Sequence, residues 1–369
     1  MGNNIVDPDG DVILTLEYPN DPFAPECGSP PTHTQSPDST TLTKNDTSLD
    51  TLSSPRGIAE SGEGDKPELV TFRVSSRHLA LASPVFKSAL TGGWKESVKI
   101  EGVHQINSQG WDTTALSIFL NAIHCQYRQV PRSLELEMLA KVAVIVDYYA
   151  AHQAIEILSP IWIDALRSRL PTTTCHNRTI ALWICISWVF GNSSAFETAT
   201  KVAIHHGRSN MTDFGLPIPR RVVEDINANQ KGLVLMVFGG LSALQQDLLR
   251  GSKGCGVECR TMQLGALTRL LNSTSLLNYS PKNDYQALSV GQLLEEVKAA
   301  VCPTWYEMPE KKPDLYGNYN IRVPPTKPHE CPPPGNAFGI QIKSIANSVN
   351  GFLRGLSITQ YAKSATESK

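Results

Sequence analysis

The sequence predicts an α+β chain in two parts: an N-terminal half with a small sheet capped by helices, and an all-helical C-terminal region. Three observations point to this. Strand composition is confined to residues 11–18, 69–74 and 98–106. From Ile155 onward, apolar residues recur at helical spacing and no stretch has strand composition. At 369 residues the chain exceeds the span of a typical single domain, so two packed units are expected.

The first strand, Asp11 to Tyr18, is rich in β-branched and apolar residues and is bounded by Gly10 and by Pro19-Asn20. Residues 20–67 then turn to Ser, Thr, Pro, Asp and Gly, with Phe23 their one aromatic residue. Such a segment buries too little apolar surface to offset its ordering entropy, and a disordered insertion is expected. Leu69 to Val74 resumes strand composition, making a hairpin whose turn has been expanded; loop closure costs grow only logarithmically with length. A short helical turn follows at Arg77–Ala82. Ser83 then caps a second helix, Pro84 fits its first position, and Gly92-Gly93 ends it. Val98 to Ile106 forms the next strand. Asp112 caps a helix with Trp111 set to staple onto Leu116, and Leu116, Phe119, Leu120 and Ile123 share one face. A further helix from Ser133 buries Leu134, Met138, Leu139, Val142, Ile145, Val146 and Tyr149.

The C-terminal half reads as helices at 155–170, 179–190, 195–206, 219–227, 232–250, 255–272 and 289–301. The last opens with Ser289 and Gln292 at capping-box spacing. Residues 303–335 hold nine prolines, which exclude regular helix and favour an extended strap. Helical period returns at 336–360 through Phe338, Ile342, Ile345, Val349, Phe352 and Leu356, a helix expected to dock on the helical region.

The charges, 33 Lys and Arg against 35 Asp and Glu, are scattered, so the chain has no electrostatic footprint for nucleic acid. The longest apolar runs, Ile180–Phe190 and Leu233–Leu244, fall short of the roughly 20 residues that span a bilayer and read as buried helices. No basic segment leads into an apolar core at the N-terminus, and Val6 stands where a myristoylation motif needs Ser or Thr. The expectation is an intracellular protein, cytoplasmic or nuclear, without membrane partners. Its eight cysteines are then expected as free thiols or metal ligands.

The order of elements, together with Phe72-Arg73-Val74-Ser75-Ser76-Arg77-His78-Leu79-Ala80-Leu81-Ala82-Ser83-Pro84-Val85-Phe86, resembles a BTB/POZ domain over residues 8–155, minus the insertion. Gly93-Trp94-Lys95-Glu96-Ser97, Gln129-Val130-Pro131-Arg132 and Val146-Asp147-Tyr148-Tyr149 extend the resemblance to BTB proteins of filamentous fungi. It implies a non-enzymatic protein-interaction module, often a homodimer, that in many members bridges a cullin scaffold to a substrate of a ubiquitin ligase. In cullin-binding members a hydrophobic-x-Glu motif follows the second helix of the pair, and Trp94-Lys95-Glu96 stands at that place. An exposed aromatic anchor beside a charge is how interface hot spots are often built. The alternative is that Trp94 covers the core edge and Glu96 is solvated. A helical domain at 156–302 would follow. A transcriptional or chromatin regulator and a homo-oligomeric scaffold are the other readings, although neither Cys-His finger spacing nor a basic helix is visible.

Cys255 and Cys259 lie four positions apart at a Gly-rich helix start, within the gap structural zinc sites use, and His329 and Cys331 lie at i and i+2 in the strap. Together they make a Cys3His set that would close a tetrahedral structural zinc and pin the strap; Cys302 is the reserve ligand. Fungal proteins of the resembling group carry a similar Cys-x-x-x-Cys and a later His-x-Cys. Otherwise Cys255 and Cys259 are buried small hydrophobes, with His329 and Cys331 on unrelated surface. Cys27 reads as a loop thiol, and Cys125, Cys175 and Cys185 as core fillers.

Nothing else reads as chemistry. Asp213-Phe214-Gly215 matches a kinase tripeptide without the motifs that accompany it, and His205-His206 complement a helix end. The phosphate-loop, zinc-protease and nucleophile-elbow patterns are missing from the sequence. Trp183, Trp188 and Phe190 read as core. Ser36-Pro37 and Ser54-Pro55 are candidate phosphorylation pairs that composition alone also explains.

Overall fold

The computed structural model describes residues 2–25, 69–172, 176–207, 210–277, 289–306, 328–331 and 337–362. Most of the insertion, both Ser-Pro pairs, Cys27, Cys175 and the strap's 307–327 and 332–335 lie outside the described residues. The chain is mixed α+β and divides into two compact units, Met1–Ala165 and Leu166–Lys369. The division falls after Ala165 rather than after residue 155, because Trp162 in the intervening helix is fully buried and its indole N–H donates to the Pro131 carbonyl at 2.8 Å.

In the first unit, β1 (Gly2–Ile5), β2 (Val12–Glu17), β3 (Leu69–Val74) and β4 (His104–Gln109) form a mixed sheet in the order β1-β3-β2-β4. The expected hairpin is present: β2 and β3 pair antiparallel with Leu14 opposite Phe72. Alternation then turns Val12, Leu14, Leu16, Val70, Phe72 and Val74 into the core. The insertion is not disordered from its start. Asn20 donates its backbone N–H to Trp111 and accepts from Thr113, and Ala24 is buried.

Two sheet features depart from the sequence reading. Strand β1, made of Gly-Asn-Asn-Ile, is held by parallel pairing to β3 rather than by its own propensity. The expected 98–106 strand begins only at His104, because Glu101 and Gly102 take positive φ (52° and 85°) and bridge Ile100 to Val103 in a tight turn.

Helices α1 (Ser76–Ala82) and α2 (Pro84–Thr91) are separated by Ser83, whose Oγ accepts from the Phe86 N–H as expected of a cap. Helices α3 (Thr113–Ile123) and α4 (Leu136–Tyr148) pack against each other, and α5 (His152–Ile155) and α6 (Leu158–Ala165) complete the unit. Asp112 caps α3 by accepting from the N–H groups of Thr114 and Ala115 at 3.0 Å. Trp111 meets Tyr148 edge-on, with ring centroids 5.2 Å apart. Cys125 is exposed, not a core filler: it follows the α3 cap with φ 58°, a left-handed exit that turns the side chain outward.

The second unit holds α7 (Asn177–Val189), α8 (Ser193–His206), α9 (Arg220–Arg250), α10 (Val257–Ser273), α11 (Val290–Ala299), α12 (Phe338–Gly351) and the short α13 (Thr359–Ala362). Trp183 is fully buried in α7, whereas Trp188 and Phe190 are half-buried. The expected helices at 219–227 and 232–250 are one: neither Ala228-Asn229-Gln230-Lys231 nor Gly232 stops a helix whose apolar stripe continues through them. Among the described residues α9 is the one helix long and apolar enough to cross a membrane. Its stripe, Val222, Ile226, Leu233, Val237, Leu241, Leu244 and Leu248, is buried, and α8, α10, α11 and α12 pack on the helix. Phe352 is 66 % exposed because α12 ends at Gly351, one residue before it.

Candidate functional site

The four residues singled out for metal ligation come together in the second unit. The Sγ atoms of Cys255, Cys259 and Cys331 and a ring nitrogen of His329 all lie within 4.8 Å of one another. His329 Nε2 is 3.2 Å from Cys255 Sγ and 3.4 Å from Cys331 Sγ. Cys331 Sγ is 3.8 Å from Cys255 Sγ and 3.0 Å from Cys259 Sγ. A tetrahedron with metal–sulfur bonds of about 2.3 Å has sulfur–sulfur edges of roughly 3.8 Å, so the donors already sit near the vertices a single ion needs.

Local backbone explains the convergence. α9 ends at Gly251, and the chain reverses into α10 through Gly251 and Gly254, whose φ values are 83° and 81°. A Cβ on Gly254 would also stand 2.6 Å from Arg260 Cγ, so glycine serves both the turn and the close approach of Arg260. The turn leaves Cys255 just before the α10 N-cap, Gly256, and Cys259 within the first turn, where the helix dipole favours negative sulfur. On the strap side, the His329 N–H donates to the Trp305 carbonyl at 2.8 Å, and Tyr306 bridges to Pro328. This extended pairing sends His329 and Cys331 to the same side, as their i, i+2 spacing predicts.

Two supporting residues were not anticipated. The Gln263 amide nitrogen donates to Cys259 Sγ at 3.1 Å and to Cys331 Sγ at 3.5 Å, a donor suited to charged sulfur. Its signal was present, since residues 259 and 263 share a helix face. The Trp305 ring stacks on His329 with centroids 4.3 Å apart and fixes the imidazole plane; no sequence pattern announced that pair. Cys302, the reserve ligand, lines a cleft of about 310 Å³ with Cys259, Trp305, His329, Cys331 and Phe338, and is not one of the clustered four.

The cluster's electrostatics favour a cation. Burial opposes ionisation of Cys259, yet contacts with Cys331, Cys255 and His329 outweigh it and hold the thiol down to about 7. Burial and then the neighbouring Cys259 and Cys255 push Cys331 up to about 12. A divalent ion would convert the sulfur–sulfur repulsion into attraction and release the thiol protons. The set is therefore able to hold a metal ion, and with four protein donors it has no open position for substrate.

In the first unit, the suggested partner-binding residues lie just after α2. Trp94 is 65 % exposed, so it does not cover the core edge. Glu96 is half-buried in the 3-10 turn Lys95–Ser97, and its carbonyl bonds His104 Nδ1 at 2.9 Å. Leu81, Val85, Val98 and Ile100 are exposed on the adjoining elements. Asp213 accepts from the Gly215 N–H at 3.0 Å in a local turn, an ordinary use of that tripeptide. Comparison with protein-family models, curated proteins and solved structures found no match for this chain.

Proposed function

We propose that the protein is a non-enzymatic interaction module of BTB/POZ type, in which the first unit binds a protein scaffold and the second is clasped by a structural zinc. The observation that carries this reading is the concentration of exposed large apolar side chains within twenty residues: Leu81, Val85, Trp94, Val98 and Ile100. Exposed apolar side chains gathered in one stretch of chain mark a candidate interaction surface. Trp94, with Glu96 two residues on, is the natural anchor. Zinc is the ion favoured by three thiolates and one imidazole, and a set filled by protein stabilises without catalysing. Adaptor work for a cullin-based ubiquitin ligase is the specific form proposed.

The test is affinity capture of a cullin scaffold by the full chain, with metal content measured on the same preparation. The expected result is cullin recovered with one zinc per chain. The Trp94→Ala variant should lose the cullin while its melting temperature stays within about 2 °C, as suits an exposed side chain. Self-association without cullin would instead favour a homo-oligomeric scaffold. A large loss of stability in Trp94→Ala would make Trp94 a structural residue and remove the anchor.

A further inference from the structure

We propose that Cys255 is a peroxide-reactive thiolate whose oxidation exchanges the metal clasp for a Cys255–Cys331 disulfide, an inference that rests on the zinc reading above. Three observations lead to it. The sulfurs differ in access: Cys255 is exposed, Cys331 is half-buried and Cys259 is only 2 % exposed, so an oxidant in solution meets Cys255 first. Cys255 also lies outside the regular turns of α10, just before its N-cap Gly256. Finally, Cys331 Sγ stands 3.8 Å from Cys255 Sγ, close enough to resolve an oxidised sulfur by a side-chain rotation to the S–S bond length of about 2.05 Å.

The chemistry closes with hydrogen peroxide as the oxidant. The Cys255 thiolate attacks one peroxide oxygen, the O–O bond breaks, hydroxide leaves and Cys255 becomes a sulfenic acid. The Cys331 thiolate then attacks that sulfur, the S–O bond breaks and a second hydroxide leaves. The two sulfurs have lost two electrons and peroxide has gained them. Only Cys259 and His329 then remain to hold the ion, so zinc departs.

Position in the chain decides the consequence. A Cys255–Cys331 bond links residues 76 positions apart, so the strap stays attached while the metal is given up. A Cys255–Cys259 bond would close a four-residue interval and let the strap go. The site would thus be an oxidant-triggered zinc donor that keeps its fold.

The test uses the zinc-loaded full chain, its metal content measured before peroxide is added. Zinc release is then followed with a chromogenic chelator and the disulfide is located by peptide mapping. The expected result is loss of about one zinc per chain, a Cys255–Cys331 cross-linked peptide, and recovery of both zinc and free thiols after reductant and zinc are restored. Cys255→Ser should slow release at least tenfold; should that variant fail to load zinc, the map of the unaltered chain decides. Zinc retained under peroxide, a bond from Cys255 to Cys259 or Cys302, or a bond between Cys259 and Cys331, whose sulfurs are 3.0 Å apart, overturns the inference and leaves the zinc reading standing. A chain without zinc at the outset overturns both.

Discussion

Ser83 joins two parts of the first unit with one hydroxyl. Its Oγ accepts from the Phe86 N–H at 3.1 Å and donates to the Tyr149 carbonyl at 2.6 Å, with the residue fully buried. The cap was legible from Ser-Pro at a helix start; the bond to Tyr149, 66 residues away, was not, because sequence spacing carries no information about tertiary neighbours. Ser83→Ala should cost about 1–3 kcal/mol in urea unfolding, more than an ordinary cap, since both bonds go together. His124 is a second case. Its Nδ1–H donates to the Leu120 carbonyl at 2.8 Å and its Nε2 accepts from the Ser75 N–H at 3.0 Å, which fixes a neutral tautomer. Burial lowers its pKa below 6.5, outweighing the bond to Leu120. A folded pKa below the unfolded one means this stability is full above about pH 6.5 and is lost as pH falls through the lowered value. An imidazole titration followed by NMR should place His124 below 6.5; a value at or above it would contradict the neutral assignment.

At the scale of elements, what sequence reveals depends on whether an element is held by its own pattern or by neighbours. Strands β2 and β3 alternate strictly, and helices α3, α7 and α8 carry caps or continuous apolar faces, so they were legible. Strand β1 has no pattern of its own, and the late start of β4 depends on a turn at Glu101-Gly102 whose positive φ values nothing in the flanking residues demands. The continuity of α9 is of the same kind, since Gly232 lowers helix propensity without ending a stripe that four neighbouring helices cover. The C-terminal segment after α12 shows how a close tertiary contact fixes a residue type. The Leu356 N–H donates to the buried Thr200 hydroxyl of α8 at 2.9 Å, which brings Gly355 against the Glu197 carbonyl. A Cβ at Gly355 would lie 2.0 Å from that oxygen. Gly355→Ala should therefore lift this segment off α8 and destabilise the unit by about 1–3 kcal/mol, read by urea unfolding and by faster amide exchange at residues 353–362. A neutral effect would mean that the backbone shifts freely there.

For the whole molecule, the contrast between the two units lies in how each closes its chain. The first unit is sealed by apolar packing, with Trp162 and its bond to Pro131 extending it to Ala165. In the second, the described part of the Pro-rich strap pairs with itself, through the His329 N–H bond to the Trp305 carbonyl and the stack of their rings, and the Cys3His set and the Gln263 amide join it to α10. The Cys3His cluster was legible because metal ligation restricts both residue type and spacing. Gln263 and Trp305 were not, because supporting roles leave no comparable signature. It follows that a chelator should act on one unit alone. A bound ion stabilises the folded state in proportion to the logarithm of its concentration over Kd, and its removal subtracts that stabilisation only from the unit that holds it. With a strong chelator under reducing conditions, hydrogen exchange should rise at residues 255–263, 302–306 and 328–331, while the sheet and helices α1 to α4 keep their protection. Cys331→Ser should reproduce the pattern without chelator, and adding zinc back should reverse it in the unaltered chain only. Equal deprotection of both units would mean that the metal supports the entire molecule. No change in either would mean that no metal holds the strap to α10.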